Sequence, residues 1–338
     1  MKKNLGTLLF STAGMFLLII DSQTAASGAR DGIELCIHAL IPSLFPFFLV
    51  SNLLTSAMLG DDYEILRPLG KLYSVSPGSE SLLAVGFLGG YPVGAQNVAL
   101  SFRSGQISGA NARRMMAFCN NAGPSFLFGI IGSMFAPQWV VWILWFIQIA
   151  GATLVSLLIP SCEEHVPKTC RSVPISFSRL MEQSLKTMAN VCGWVVLFRI
   201  ILQFLNKWIL GYVSVPVRVL LSGLLELSNG CMMLSSIENE GLRFLMCSIM
   251  LAMGGLCVTM QTFSVCRGPD MSLYFPGKIL QSIFCFLVSY FAQRIIFPDD
   301  CIHLSPAAIG CPIILFFLMA LHLRKNKNIS SNSSPLVV

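Results

Sequence analysis

Gly86-Phe-Leu-Gly-Gly-Tyr-Pro-Val-Gly-Ala-Gln96 and Phe118-Cys-Asn-Asn-Ala-Gly-Pro-Ser-Phe-Leu-Phe-Gly129 are the two stretches on which the reading of this chain turns. Each sets helix-breaking residues inside long apolar sequence. No side chain from Met115 to Cys162 is charged, yet Asn120, Asn121, Gly123 and Pro124 interrupt that run. In a bilayer, irregular backbone survives only where it is buried in protein or lines a polar cavity. Paired breaks of this kind point to the binding site of a secondary transporter.

Composition sets the class. The chain has 338 residues, of which 54% are hydrophobic and 11% charged, whereas soluble domains carry roughly 25% charged residues. Mean hydropathy is +0.72. These values predict an all-α polytopic membrane protein. A β-barrel would show short segments of alternating polarity, and the apolar runs here are long and continuous. The net charge of +6 gathers at segment ends, which suits topology and argues against a nucleic-acid partner. The twelve cysteines are scattered, with no Cys-x-x-Cys and no Cys/His cluster of zinc spacing. They suit small reduced core residues. Metalloprotease, serine-hydrolase and P-loop signatures are missing. No catalytic residue, metal site or cofactor is therefore predicted.

Outward from the two stretches, the chain divides into apolar segments. Lys2-Lys3 before Leu5–Ile20 fits a signal peptide, with Thr24-Ala25-Ala26 as a cleavage site, or an uncleaved first helix; the chain continues as a membrane protein, so the second reading is preferred. Lys2-Lys3 places the N-terminus in the cytoplasm. Asp21, Arg30 and Asp31 mark an outside loop, so residues 1–31 form a first helix plus loop. A span with Pro42 and Pro46 follows from about Ile33 to Met58, then a polar stretch over 59–80. Residues 81–102 are uncharged, but Gly89-Gly90-Tyr91-Pro92 at their centre favours a re-entrant hairpin, and Lys71 before it and Arg103, Arg113 and Arg114 after it put both ends on the cytoplasmic side. Ser108 is a helix cap; the helix it opens breaks at Asn120–Gly123 and resumes at Pro124. Arg113-Arg114 are assigned to setting topology. A span over about 139–160 closes a first gate-like repeat, 32–160.

After a cytoplasmic linker, 161–180, the plan recurs in 181–298. A span carries Arg199. A weaker hairpin, about 218–237, holds Gly223, Glu226, Asn229 and Gly230. A span broken at Gly254-Gly255 follows, with Gln261 beyond it, and then a span over 278–297. A C-terminal helix, 299–323, precedes a disordered cytoplasmic tail, 324–338. The fold expectation is thus about eight transmembrane helices plus two re-entrant hairpins in an inverted repeat. With the N-terminus inside, positive residues at 103–114, 168–179, 267 and 324–327 all fall inside, although Arg218 and Arg243 fall outside. The competing account is a generic helical bundle whose glycines only permit close packing.

Pro42-Ser-Leu-Phe-Pro-Phe-Phe, Gly86-Phe-Leu-Gly-Gly-Tyr-Pro-Val-Gly-Ala and Phe118-Cys-Asn-Asn-Ala-Gly-Pro-Ser-Phe together resemble the YlbJ sporulation integral membrane proteins, which belong with nucleoside-recognition, or gate, domain proteins. The resemblance covers about residues 22–320. Gly254-Gly255-Leu-Cys-Val-Thr-Met-Gln261 matches the family run less closely, with Cys257 where a small hydroxyl residue is usual. The resemblance implies a role in endospore formation, with movement of dipicolinic acid across the outer forespore membrane. It also implies a bacterial cell-membrane location.

The candidate binding residues follow. Gly90, Tyr91, Pro92 and Gly94 form the first hairpin tip, with Gln96 and Asn97 just beyond. Asn120 and Asn121 offer amides at membrane depth, and Gly123, Pro124 and Ser125 open a half-helix whose positive dipole end faces the interior. Their alternative is helix-to-helix hydrogen bonding. Arg199 is an intramembrane charge, functional by default, and pairs either with an anionic cargo or with Glu226. Glu226 carries a coupling proton or is Arg199's partner. Asn229, Gly254, Gly255 and Gln261 complete the second half of the site. The predicted activity is transport or facilitation of a small polar, anionic aromatic solute. Alternatives are nucleoside transport and a non-transporting sporulation assembly factor. The partners are the solute and the lipid bilayer, with a homo-oligomer or other sporulation membrane proteins compatible with this reading.

Overall fold

A computed structural model describes residues 2–58, 63–76, 78–161 and 176–325. The central part of the expected cytoplasmic linker and nearly all of the tail lie outside the described residues. Among the described residues the chain is helical, with no strand.

The first half contains α1 (Lys2–Ile20), α2 (Ser22–Leu35), α3 (Ile41–Met58), α4 (Arg67–Tyr73), α5 (Glu80–Gly89), α6 (Val93–Arg103), α7 (Gly109–Met116), α8 (Pro124–Phe126) and α9 (Trp139–Leu158). The second contains α10 (Phe177–Trp208), α11 (Val215–Leu225), α12 (Leu227–Met233), α13 (Glu240–Met253), α14 (Gly255–Val265), α15 (Tyr274–Ile296) and α16 (Pro306–Lys325). Six helical stretches among the described residues are long and apolar enough to cross a bilayer: Ser22–Met58, Trp139–Leu158, Phe177–Trp208, Glu240–Val265, Tyr274–Ile296 and Pro306–Arg324. The other expected crossings have local causes for falling outside that set. In α1 the described apolar part is Ser11–Ile20, and the segment around Asn120 is two short helices rather than one long one.

Residues 22–35 are helical where their charges predicted an outside loop. Packing explains the difference. Gly28 and Gly32 lie four apart on α2 and sit against the α10 backbone, where an added Cβ would meet Ile200 Cα at 2.7 Å and Val196 Cα at 2.9 Å. Small residues at this spacing are how membrane helices approach closely. The seam continues along both helices. Lys207 donates to Asp21 at 2.5 Å and Gln203 to Ser27 at 3.2 Å. The Lys207 hydrogen bond, followed by that of Thr24, holds the Asp21 carboxyl below the usual carboxylate range. A five-residue π-turn, Cys36–Leu40, then joins α2 to α3 as one rod.

α5 and α6, joined at Gly90–Pro92, pack against each other as a helical hairpin. Gly86 and Gly94 face each other across it, and a Cβ on either would run into the Cys119 carbonyl. α11 and α12 form the second hairpin with the same pinch. Gly223 and Gly230 face each other, and both crowd the Met250 thioether. Ser108 caps α7 by accepting from the Asn111 amide at 3.2 Å. α7 ends at Met116, and helix resumes at Pro124, where the missing N–H costs nothing because the first helical turn has orphan donors anyway. Arg114 is buried rather than at the surface. It donates to the carbonyls of Tyr73 and Ser74 at the end of α4, and of Ser156 and Ile159 at the end of α9. It satisfies helix-end carbonyls of two elements at once.

Candidate functional site

A broken helix strands backbone groups that a continuous helix would satisfy, and each half of this protein solves the problem with side chains from the other. At the second-half break, Gly254 takes φ +77° and ends α13. The Leu251 carbonyl accepts from the Tyr91 hydroxyl at 2.5 Å and the Gln148 amide at 3.4 Å, both from the first half. At the first-half break, the Asn120 carbonyl accepts from Lys278 of α15. Asn121 Oδ1 accepts from Gln281 at 2.8 Å. Gly277 makes that contact reachable, because α15 lies so close to Ala117 that a Cβ would collide with it.

Both hairpin tips reach these breaks. Gly90 and Gly123 touch backbone to backbone: a Cβ on Gly90 would meet the Gly123 nitrogen at 2.9 Å. A Cβ on Gly255 would meet the Gly223 carbonyl at 2.9 Å. The Tyr91 ring lies on Gly254. Beside these contacts lies a small cavity, partly open to its surroundings. Its polar wall comes from Tyr91, Ser125, Glu226, Ser228 and Gln261, with Gly90 and Gly123 beside them; Leu40, Leu44, Phe126, Val191, Val195, Leu227 and Val258 give an apolar side. Ser125 Oγ is buried without a partner. Glu226 caps α12, accepting from the amides of Ser228 at 3.0 Å and Asn229 at 2.6 Å.

The predicted residues thus separate. Gly90, Tyr91, Gly123, Ser125, Glu226 and Gln261 line one cavity. Gln261 also donates to the Cys257 sulfur at 3.2 Å, so the residue in the place of a hydroxyl still accepts a bond. The others sit behind the wall. Pro92 opens α6, Pro124 opens α8, and Gly94, Gly254 and Gly255 provide close backbone contacts. Gln96 accepts from Thr187 at 3.1 Å and Asn97 donates to Thr55 at 3.0 Å, tying α6 to α10 and α3. Asn120 donates to Thr262 at 2.9 Å and Tyr274 at 3.2 Å, and Asn121 donates to the Phe118 carbonyl at 2.6 Å. Arg199 donates to Asn229, one turn from Glu226, and not to the Glu226 carboxylate.

Sequence reading missed Lys278, Gln281 and Gln148. Lys278 is 1% exposed. The available signal was a lysine close to the start of an apolar span, but it follows Pro276-Gly277 and so resembles a charge ending a loop.

These features define a multi-pass α-helical membrane protein with a cavity, part polar and part apolar, beside the two hairpin tips and the broken helices. Among curated proteins, the sporulation integral membrane protein YlbJ of Bacillus subtilis (strain 168) is similar to this chain: 24% identical, with 83% of this chain and 81% of that protein covered. No protein-family profile matches the chain. No solved structure matches it either.

Proposed function

We propose that the chain is a membrane transporter or facilitator for a small polar solute, working in the cell membrane and, in a sporulating bacterium, in the outer forespore membrane. The observation that carries this reading is the cavity itself, whose wall is drawn from both hairpin tips, from the first-half break at Gly123 and Ser125, and from Val258 and Gln261 of α14. A protein needing only stability would close such breaks, since each leaves backbone polar groups to be satisfied. In this reading eight segments cross the membrane, the two hairpins enter and return, and repeats 32–160 and 181–298 run in opposite senses. The pinched glycine pairs, Gly86/Gly94 and Gly223/Gly230, support the correspondence.

The leading cargo is an anionic aromatic solute such as dipicolinate, in keeping with the sporulation relative. Glu226 bears on it directly. Its carboxyl lines the cavity, so an anion there requires a protonated Glu226, because like charges at close range repel. The same residue favours a second reading, a neutral polar cargo such as a nucleoside, held by Gln261, Ser125 and Ser228. Uptake of dipicolinate and of uridine into proteoliposomes of the purified protein separates the two. Flux of neither would favour a non-transporting role in spore assembly.

A further inference from the structure

Lys278 is a buried positive charge with only neutral partners. Its ammonium donates to the Asn120 carbonyl, to Asn121 Oδ1 at 3.4 Å and to Gln281 Oε1 at 3.2 Å. Its hydrogen bonds are therefore met, but its charge is not. The ion pairs among the described residues are Arg67–Glu64, Arg113–Asp270, Lys186–Glu182 and Lys207–Asp21, and none reaches it. Its depth follows from Gln281, about one turn further along α15. Gln281 donates at 3.0 Å to the carbonyl of Gln148, which is midway along α9. A charge at this depth is costly to keep unless it has a task.

Two further observations point to a ligand. Asn120 Oδ1 and Gln148 Oε1 are buried without partners beside this ammonium's contacts. Tyr91 links the cluster to the cavity. It forms part of the cavity wall, and the Lys278 ammonium lies 5.2 Å from its ring centroid.

We propose that Lys278 is the charge-selecting residue of the transport path, and that a small organic carboxylate passing Tyr91 pairs with its ammonium and displaces the Asn120, Asn121 and Gln281 contacts. This rests on the transport reading. The orphaned amide oxygens of Asn120 and Gln148 then accept from the cargo's own donor or its accompanying water. Glu226 on the opposite hairpin tip and Lys278 behind Tyr91 make the path asymmetric in charge.

The test compares dipicolinate with its neutral diamide, which has the same ring and shape, in proteoliposomes of the full chain. Wild type should move the anion faster. The ratio of the two rates should fall at least roughly tenfold in Lys278→Gln and be kept in Lys278→Arg, since removing one partner of a buried charge pair costs that or more. An unchanged ratio in Lys278→Gln overturns the proposal and leaves transport standing. Equal wild-type rates for anion and diamide overturn it as well, even where Lys278→Gln does not insert. Loss of anion preference in Lys278→Arg too would make Lys278 a packing residue. Wild-type flux of neither probe nor of uridine removes the transport reading itself, and the proposal with it.

Discussion

Tyr91 stands at the tip of one hairpin and finishes the broken helix of the other half. Its hydroxyl is a donor to the Leu251 carbonyl at 2.5 Å, and the bond is buried. Tyr91→Phe should lower stability by about 1–3 kcal/mol, the usual effect of leaving a buried acceptor unsatisfied. The Gln148 amide at 3.4 Å softens that loss. The thermal unfolding midpoint in detergent checks this, and an unchanged midpoint would mean the bond contributes nothing. Gly123 is tighter still. A Cβ there would meet Gly90 N, Gly90 Cα and the Leu88 carbonyl, all at 2.9 Å and all backbone. Gly123→Ala should cost about 1–3 kcal/mol through overpacking. Closing the break with Gly123→Ala and Pro124→Ala together therefore also pushes the first hairpin away. Cargo affinity should fall for both reasons. Gly90→Ala would not separate them, since its φ of +77° already disfavours a side chain. Pro124→Ala alone isolates the backbone effect.

Among elements, the α2–α10 seam makes the sharpest demand. Gly28→Leu should force the two helices apart and reduce the yield of monodisperse protein, because the atoms it meets are the backbone of Ile200 and Arg199. Gly193→Ala on α10 is the counterpart. Nothing lies within 4 Å of a Cβ there, and replacing a mid-helix glycine gains about 1 kcal/mol of helix propensity. That variant should melt at or above the wild-type temperature. If both behave alike in thermal unfolding followed by size-exclusion chromatography, the close approach of α2 and α10 is not what holds residues 22–35 helical. The helix there was hidden from sequence reading because Arg30 and Asp31 dominate its composition, while the glycine pair acts only once α10 is beside it.

For the whole molecule, the proposed topology, in which both hairpins enter and return, is open to a direct test. The loop after α6 should be cytoplasmic. Ser104 is the better reporter than Gly105, whose φ is +72°. Ser104→Cys in an otherwise cysteine-free chain should react with a membrane-impermeant maleimide only from the cytoplasmic side. Reaction from outside would mean that residues 80–103 cross the membrane, and the opposed repeats would be lost.

The sequence by itself determined the membrane class and the three interruptions at Gly89–Pro92, Asn120–Pro124 and Gly254-Gly255. These are local properties: apolar length, and residues that cannot continue a helix. It also picked out Gly90, Tyr91, Gly123, Ser125, Glu226 and Gln261, which line the cavity. Tertiary structure alone decided how the breaks are completed. Lys278 and Asn120 are 158 residues apart, and Gln148 and Leu251 are 103 apart. A stranded carbonyl announces that it needs a donor, but any amide, hydroxyl or ammonium can serve. Which one does is set by the packing of Gly277 on Ala117 and of Tyr91 on Gly254, contacts that exist only once the two halves have met.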